Sequence, residues 1–233
     1  MSMEMGARQH EIAIPPSRFT MKCVITEVTD DGDFRQEIEF TDVDVDSRPE
    51  DQQVMVDAMR QELTRLRGTR FTSLIIAQGA TSEMEFELAE GASPQVRQQI
   101  ENMQRAMEHM AILPTELVGP GARWRVTMPV HTEQFDMVQS VTYTLQERVG
   151  DKVTLAMEME QSAPQQQMGE AMGQPIELRS YTGRGTGEME FDLRSPTLRF
   201  TMTLDSQFEQ AFGQQVYKVD LKIEMRMSPD DGE

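Results

Sequence analysis

Alternation of apolar and polar residues with a period of two runs through most of this chain. That is the signature of strands with one face buried and the other in water. Met84-Glu-Phe-Glu-Leu88 and Met189-Glu-Phe-Asp-Leu193 are clear cases, and acids supply much of the polar phase. Asp42, Asp44 and Asp46 alternate with Val43 and Val45, and Glu37/Glu39, Glu85/Glu87, Glu158/Glu160 and Glu188/Glu190/Asp192 repeat the pattern. A chain patterned in this way must build sheets, with helices only where the period changes.

The period changes in two places. Ser47-Arg-Pro-Glu50 reads as a capping box with proline in the first turn, and Met55, Met59, Leu63 and Leu66 then recur at helical spacing up to a stop at Gly68. Ser93-Pro94 opens a second helix with the stripe Val96, Ile100, Met103, Met107 and Met110 and with Pro114 just beyond it. Strands are expected at 19–29 and 34–45 around the Asp30-Asp-Gly-Asp33 turn, with a bulge near Thr41 where the alternation shifts register. Further strands are expected at 69–78, 81–89, 123–128, 140–148, 152–161, 176–182, 187–194, 197–206 and 216–227. Residues 162–175 read as a polar insert with one helical turn, and 228–233 as a frayed tail.

This order divides the chain into an extension (1–17), a first β-rich half (18–90), a connecting helix (91–116) and a second β-rich half (117–227) within one compact unit. The halves echo each other, since each runs from a hairpin through a helical segment to a Met-Glu-Phe-acid-Leu strand. An internal duplication is therefore expected.

Composition limits the partners. With 40 Asp/Glu against 22 Lys/Arg and a formal charge of −18, no basic stripe exists to displace counterions from nucleic acid. No apolar run approaches the ~20 residues of a membrane span, and the start lacks the basic and apolar regions of a signal peptide. A lipid anchor, if the native start carries one, lies outside this chain. The single cysteine excludes an intramolecular disulfide and a thiolate zinc site. Cys23 sits in a strand-like run and is expected to be a buried core thiol.

Pro114-Thr-Glu-Leu-Val-Gly-Pro-Gly-Ala-Arg-Trp124 places Val-Gly-x-Gly-Ala-x-Trp at the start of a strand. A threonine-rich strand, a Gly-Asp turn and a strand follow over 141–159, and then Gly-x-Gly at 185–187 before another strand. In these features the chain resembles a family of uncharacterised bacterial secreted proteins and lipoproteins, over about 114–225. The resemblance implies an extracytoplasmic address in the periplasm or cell envelope and no catalytic residue. Read from the residues alone, the segment is a structural corner in which Gly119, Pro120 and Gly121 set the turn and Trp124 anchors a strand.

Candidate sites are few. His10, His109 and His131 have no partner at a catalytic spacing and read as surface or helix-edge residues. Gly183-Arg-Gly-Thr-Gly187 enters a strand rather than a helix, so it is expected to be a loop or bulge and not a phosphate cradle. Same-face acids stand ~7 Å apart along a strand, too far to share one calcium ion without convergence. Asp30, Asp31 and Asp33 are the better cation candidates, yet a solvated face is the expected role of the acids.

The 20 methionines mostly stand where leucine would, and they read first as core and then as a plastic apolar pocket. The pocket candidates are Trp124, Met55, Met59, Met103 and Met107. Thioether clustering leaves copper handling as the alternative. The expectation is an α+β protein with long antiparallel curved sheets over two helices, in the manner of periplasmic lipid-carrier half-barrels. It would be a non-enzymatic binding or scaffold protein, without cofactor or resident metal, that holds a hydrophobic small molecule or a protein partner between sheet and helices.

Overall fold

The computed structural model describes residues 2–5, 8–11, 14–48, 53–88, 113–132, 134–171, 174–213 and 215–229. It is mostly β, 69% strand and 7% helical, in two antiparallel sheets. This corrects the α+β expectation with two helices. One helix is found among the described residues, and the expected second stripe of Val96, Ile100, Met103, Met107 and Met110 lies outside them. Within the 162–175 segment read as a polar insert with a helical turn, Gln166–Ala171 is a strand, and the Gly183–Gly187 run lies inside a strand of 19 residues instead of breaking it. Alternation carried further than the glycines and prolines suggested.

The chain divides into two units, and the second interrupts the first in sequence: Ala13–Thr115 on one side, Met1–Ile12 with Glu116–Glu233 on the other. The Ala13–Thr115 unit contains β3 (Ser17–Val28), β4 (Phe34–Val45), α1 (Gln53–Thr64), β5 (Arg70–Ile75) and β6 (Thr81–Glu87), with strand order β3-β4-β5-β6. Gly32, at φ 89°, closes the first hairpin while the Thr29 amide donates to the Asp33 carbonyl at 2.8 Å. Register slips between Thr20 and Met21 and leaves Thr41 unpaired, at the place where the sequence alternation shifts.

The helix turns fully buried Val56 inward, with Met55 and Met59 half-buried beside it. Its exit is tied to β4, because Gly68 N–H donates to Phe40 C=O at 2.8 Å and Phe40 N–H to Thr69 C=O at 3.0 Å. Val43 and Leu66 pack with Leu63, Phe86 and Leu88. A row of rings, Phe19, Phe40, Phe71 and Phe86, crosses the sheet at centroid separations of 6.1, 6.2 and 5.5 Å.

The other unit contains β1 (Ser2–Met5), β2 (Arg8–Glu11), β7 (Arg123–His131), β8 (Asp136–Val149), β9 (Lys152–Ala163), β10 (Gln166–Ala171), β11 (Gln174–Asp192), β12 (Ser195–Phe212) and β13 (Gln215–Met227). Its sheet runs β2-β1-β13-β12-β11-β9-β8-β7, and β10 pairs with the start of β11. From β7 onward it is an antiparallel meander in which each strand pairs with its predecessor except β10, since β9 pairs with β11. Burial falls on alternate residues: Val141, Tyr143 and Leu145 in β8, Val153, Leu155 and Met157 in β9, Met202 and Leu204 in β12. Arg123–Glu158 at 2.9 Å and Arg125–Glu160 at 2.8 Å lie on the opposite, solvated face.

The expected duplication has no counterpart in strand pairing. Met84–Leu88 begins in β6, an edge strand separated from β4 by β5, whereas Met189–Leu193 begins in β11, which pairs directly with β9.

Candidate functional site

Pairing registers of the larger sheet line up its buried face as transverse rows. One row reads Trp124, Tyr143, Met157, Gly187, Met202 and Met225 from β7 to β13. The next reads Val126, Val141, Met159, Gly185, Leu204 and Ile223, and the third Met128, Gln139, Gln161, Gly183, Ser206 and Leu221. Glycines therefore occupy three successive buried-face positions of β11, where directly opposed residues share a face.

The glycines have a steric cause. A Cβ on Gly187 would collide with the Thr201 carbonyl oxygen and stand 3.0 Å from Met157 Cε, and one on Gly185 would lie 2.9 Å from the Thr203 carbonyl oxygen. Close backbone approach is what glycine inside a strand permits. At Gly183 the missing side chain makes room for a neighbour, since a Cβ there would lie 2.8 Å from Gln161 Oε1. That oxygen accepts the Tyr181 hydroxyl at 2.7 Å, and Gln161 Nε2 donates to Gln139 Oε1 at 2.6 Å.

The result is an uncharged polar cluster set in an apolar face. Tyr181 and Gln161 are buried, and Phe135 and Phe208 flank the tyrosine ring at 5.1 and 6.5 Å. Burial pushes the Tyr181 hydroxyl above the ordinary tyrosine range, so it is a neutral donor, while hydrogen bonding with the Ser206 side chain opposes part of the shift. Ser206 is only 2% exposed. Its Oγ nevertheless finds no partner at ordinary hydrogen-bond distance and angle among the described residues, so its interaction with the Tyr181 hydroxyl falls outside that geometry. A buried hydroxyl in that state forgoes about 1–3 kcal/mol, and such atoms are rare enough to mark a position of interest.

The expected pocket residues belong to two different units or lie outside the described residues. Trp124 is half-buried and stacks on Tyr143 at 5.6 Å. Met55 and Met59 lie on α1 in the other unit, and Met103 and Met107 are outside the described residues. Cys23 is exposed rather than buried, because β3 is an edge strand, and its Sγ lies 3.5 Å from Gln36 Oε1. His131 is exposed and pairs with Asp136 at 2.8 Å across the β7–β8 turn. Asp44 is held by Arg60 at 3.0 Å, while Asp33 Oδ1 accepts the Ala77 amide at 2.9 Å, so these acids have structural partners.

Among the described residues no group of His, Cys, Asp or Glu could hold a metal ion, and no helix is long and apolar enough to cross a membrane. A cavity of about 340 Å³ is lined by Gln165, Gln166, Gln167 and Glu177 at the β9–β10 link. That lining is polar and distinct from the Tyr181 cluster. The polar trio Gln161, Tyr181 and Ser206 escaped the sequence reading. Its signal was the same-face spacing of Gly183, Gly185 and Gly187, which in a strand marks one stripe without side chains.

Fold and site together define the class: a mostly-β protein of two antiparallel sheets, the larger bearing a buried uncharged polar cluster among methionines and glycines. No protein-family model, curated protein or solved structure matches the chain.

Proposed function

We propose that the protein is a non-enzymatic binding protein, and that its ligand is an apolar molecule received on the buried face of the β7–β13 sheet. The observation that carries this reading is the buried Ser206 hydroxyl beside Tyr181, without a hydrogen bond of ordinary geometry, in a face of apolar, aromatic and glycine residues that also holds Gln139 and Gln161. Methionine adapts its shape to varied apolar surfaces. The cluster is neutral throughout, which suits orientation of a bound molecule better than proton transfer. The extracytoplasmic address implied by the resemblance at 114–225 belongs to the same proposal, since carriers of apolar molecules are needed where such molecules must cross water.

The test is native mass spectrometry of the purified chain before and after solvent extraction, with titration of N-phenyl-1-naphthylamine into the extracted protein. Saturable probe binding that weakens in S206A and Y181F is the expected result. Identical masses before and after extraction, together with no saturable binding, would sink the reading.

A second reading rests on Met157, Met202 and Met225 standing in one row with Gly187 between the first two. Thioethers so aligned suit Cu(I). Cu(I) competition against a chelator, with loss of affinity in M157L and M202L, is its expected signature; equal affinity in the variants removes it.

A further inference from the structure

The two edges of the smaller sheet are complementary to each other. One transverse row on its outer face reads Lys22, Glu39, Arg70 and Glu87 across β3, β4, β5 and β6, so charge alternates strand by strand. Arg70 and Glu39 pair at 3.4 Å inside the row. The two ends of the row, Lys22 on one edge and Glu87 on the other, form no ion pair among the described residues. Glu85, two positions along β6, adds a further exposed acid to that edge. The opposite face behaves likewise: its row reads Cys23, Ile38, Phe71 and Phe86, and the ring ladder begins at exposed Phe19. Edge strand β3 also exposes Met21, Val24 and Val28.

Direction and register agree with the charges. All three pairings are antiparallel, so a strand added beyond β6 must run as β3 does. A second copy shifted by four strand spacings, roughly 19 Å, meets this condition with no rotation other than the sheet's own twist. In the straight register Glu87 then faces Lys22 of the next copy and Phe86 faces its Cys23. Glu85 faces Val24 of that copy, and Met84 faces Ile25. The charges stay on one face, where Val24 also stands, and Cys23, Ile25, Met84 and Phe86 share the other.

We propose that β6 of one chain pairs with β3 of a second copy, head to tail, through this register. Because the two surfaces are different edges, the contact is heterologous and extends into a chain of copies unless the twist closes it. Lys22 also serves as a guard, since an edge cation rejects strands that do not offer an acid opposite it.

The full-length chain is tested by sedimentation velocity over a concentration series at fixed ionic strength, with far-UV circular dichroism to confirm folding. The wild type is expected to show mass rising continuously with concentration. K22E and E87K should each weaken association roughly tenfold, because like charges then stand directly opposed, and the double variant K22E/E87K should recover it. E87K makes the chain less acidic, so a gain of association in that variant would mean that net charge governs the behaviour and would overturn the proposal. An equimolar mixture of K22E and E87K should associate where neither does alone, since each supplies the edge that the other lacks. Loss in K22E with no effect of E87K would identify β3–β3 pairing instead, and a wild type that stays monomeric at every concentration refutes the contact outright.

Discussion

The two sheets use the same alternating pattern to opposite ends. In the smaller one, charges and phenylalanine rings occupy opposite faces, and β3 is exposed along nearly its whole length. In the larger one, β8, β9 and β11 bury alternate residues along their central runs, and the polar groups on that face are neutral: half-buried Gln139 and buried Gln161, Tyr181 and Ser206. Period two thus specifies which residues share a face. Whether a face is closed depends on a strand's place in its sheet, which alternation does not encode.

The largest expected effects contrast the two cores. Phe71→Ala, at 2% exposure and the centre of the ring row, should cost about 4 kcal/mol, and Leu155→Ala, at 1% in the larger sheet, about 3 kcal/mol. Urea melts followed by circular dichroism measure both, and Trp124 fluorescence reports on the larger sheet. A loss under ~1 kcal/mol at either site would mean that its core relaxes around the gap.

Next come the glycines. Gly187→Ala drives a methyl into the Thr201 carbonyl and should cost about 3 kcal/mol, whereas at Gly119 an added Cβ meets nothing within 4 Å and Ala should change little. Equal effects at the two positions would refute close backbone approach as the reason for the glycine stripe.

The smallest effects concern pH, and they should differ in sign between the units. Tyr181 has its pKa raised by burial, so its contribution is complete below the unfolded value of about 10 and is lost as pH rises through the folded one. Y181F should flatten that alkaline loss. Asp44 has its pKa lowered by the Val45 amide, then by Arg60, so its contribution is present above the unfolded value of about 3.9 and is lost as pH falls through the folded one. D44N should remove a shallow acid-side slope, kept small by the solvent around this pair. Stability curves of the wild type and the two variants from acid to alkali, with unchanged slopes in both variants, would break the assignment.

Much of the strand layout was legible, and for a physical reason. The slip opposite Thr41, the Asp30–Asp33 turn and the helix ending before Gly68 are all local events, written in adjacent residues. The site was not legible, because Gln161 and Ser206 look in sequence like solvated strand residues until pairing places them beside Gly183. Gly183-Arg-Gly-Thr-Gly187 was misread because glycine is weak in strands on average, and only the Thr201 and Thr203 carbonyls explain its use here. Val56 likewise outranks Met55 in burial, since the facing of α1 depends on where Gly68 and Thr69 hook onto β4.

The first strand of the chain pairs with the last, Met3 standing opposite Val219. During synthesis β1 and β2 therefore emerge with no sheet to join, and they wait while the whole Ala13–Thr115 unit and the hairpins after it are made. Most pairings from β7 to β13 close short loops, whereas the β1–β13 closure joins residues more than two hundred positions apart and is entropically the most demanding of them. A newly made chain would pass through a stage in which the β13 edge is bare and its N-terminal partner is untethered. That interval, rather than the finished fold, is when the larger sheet is most open to a wrong partner.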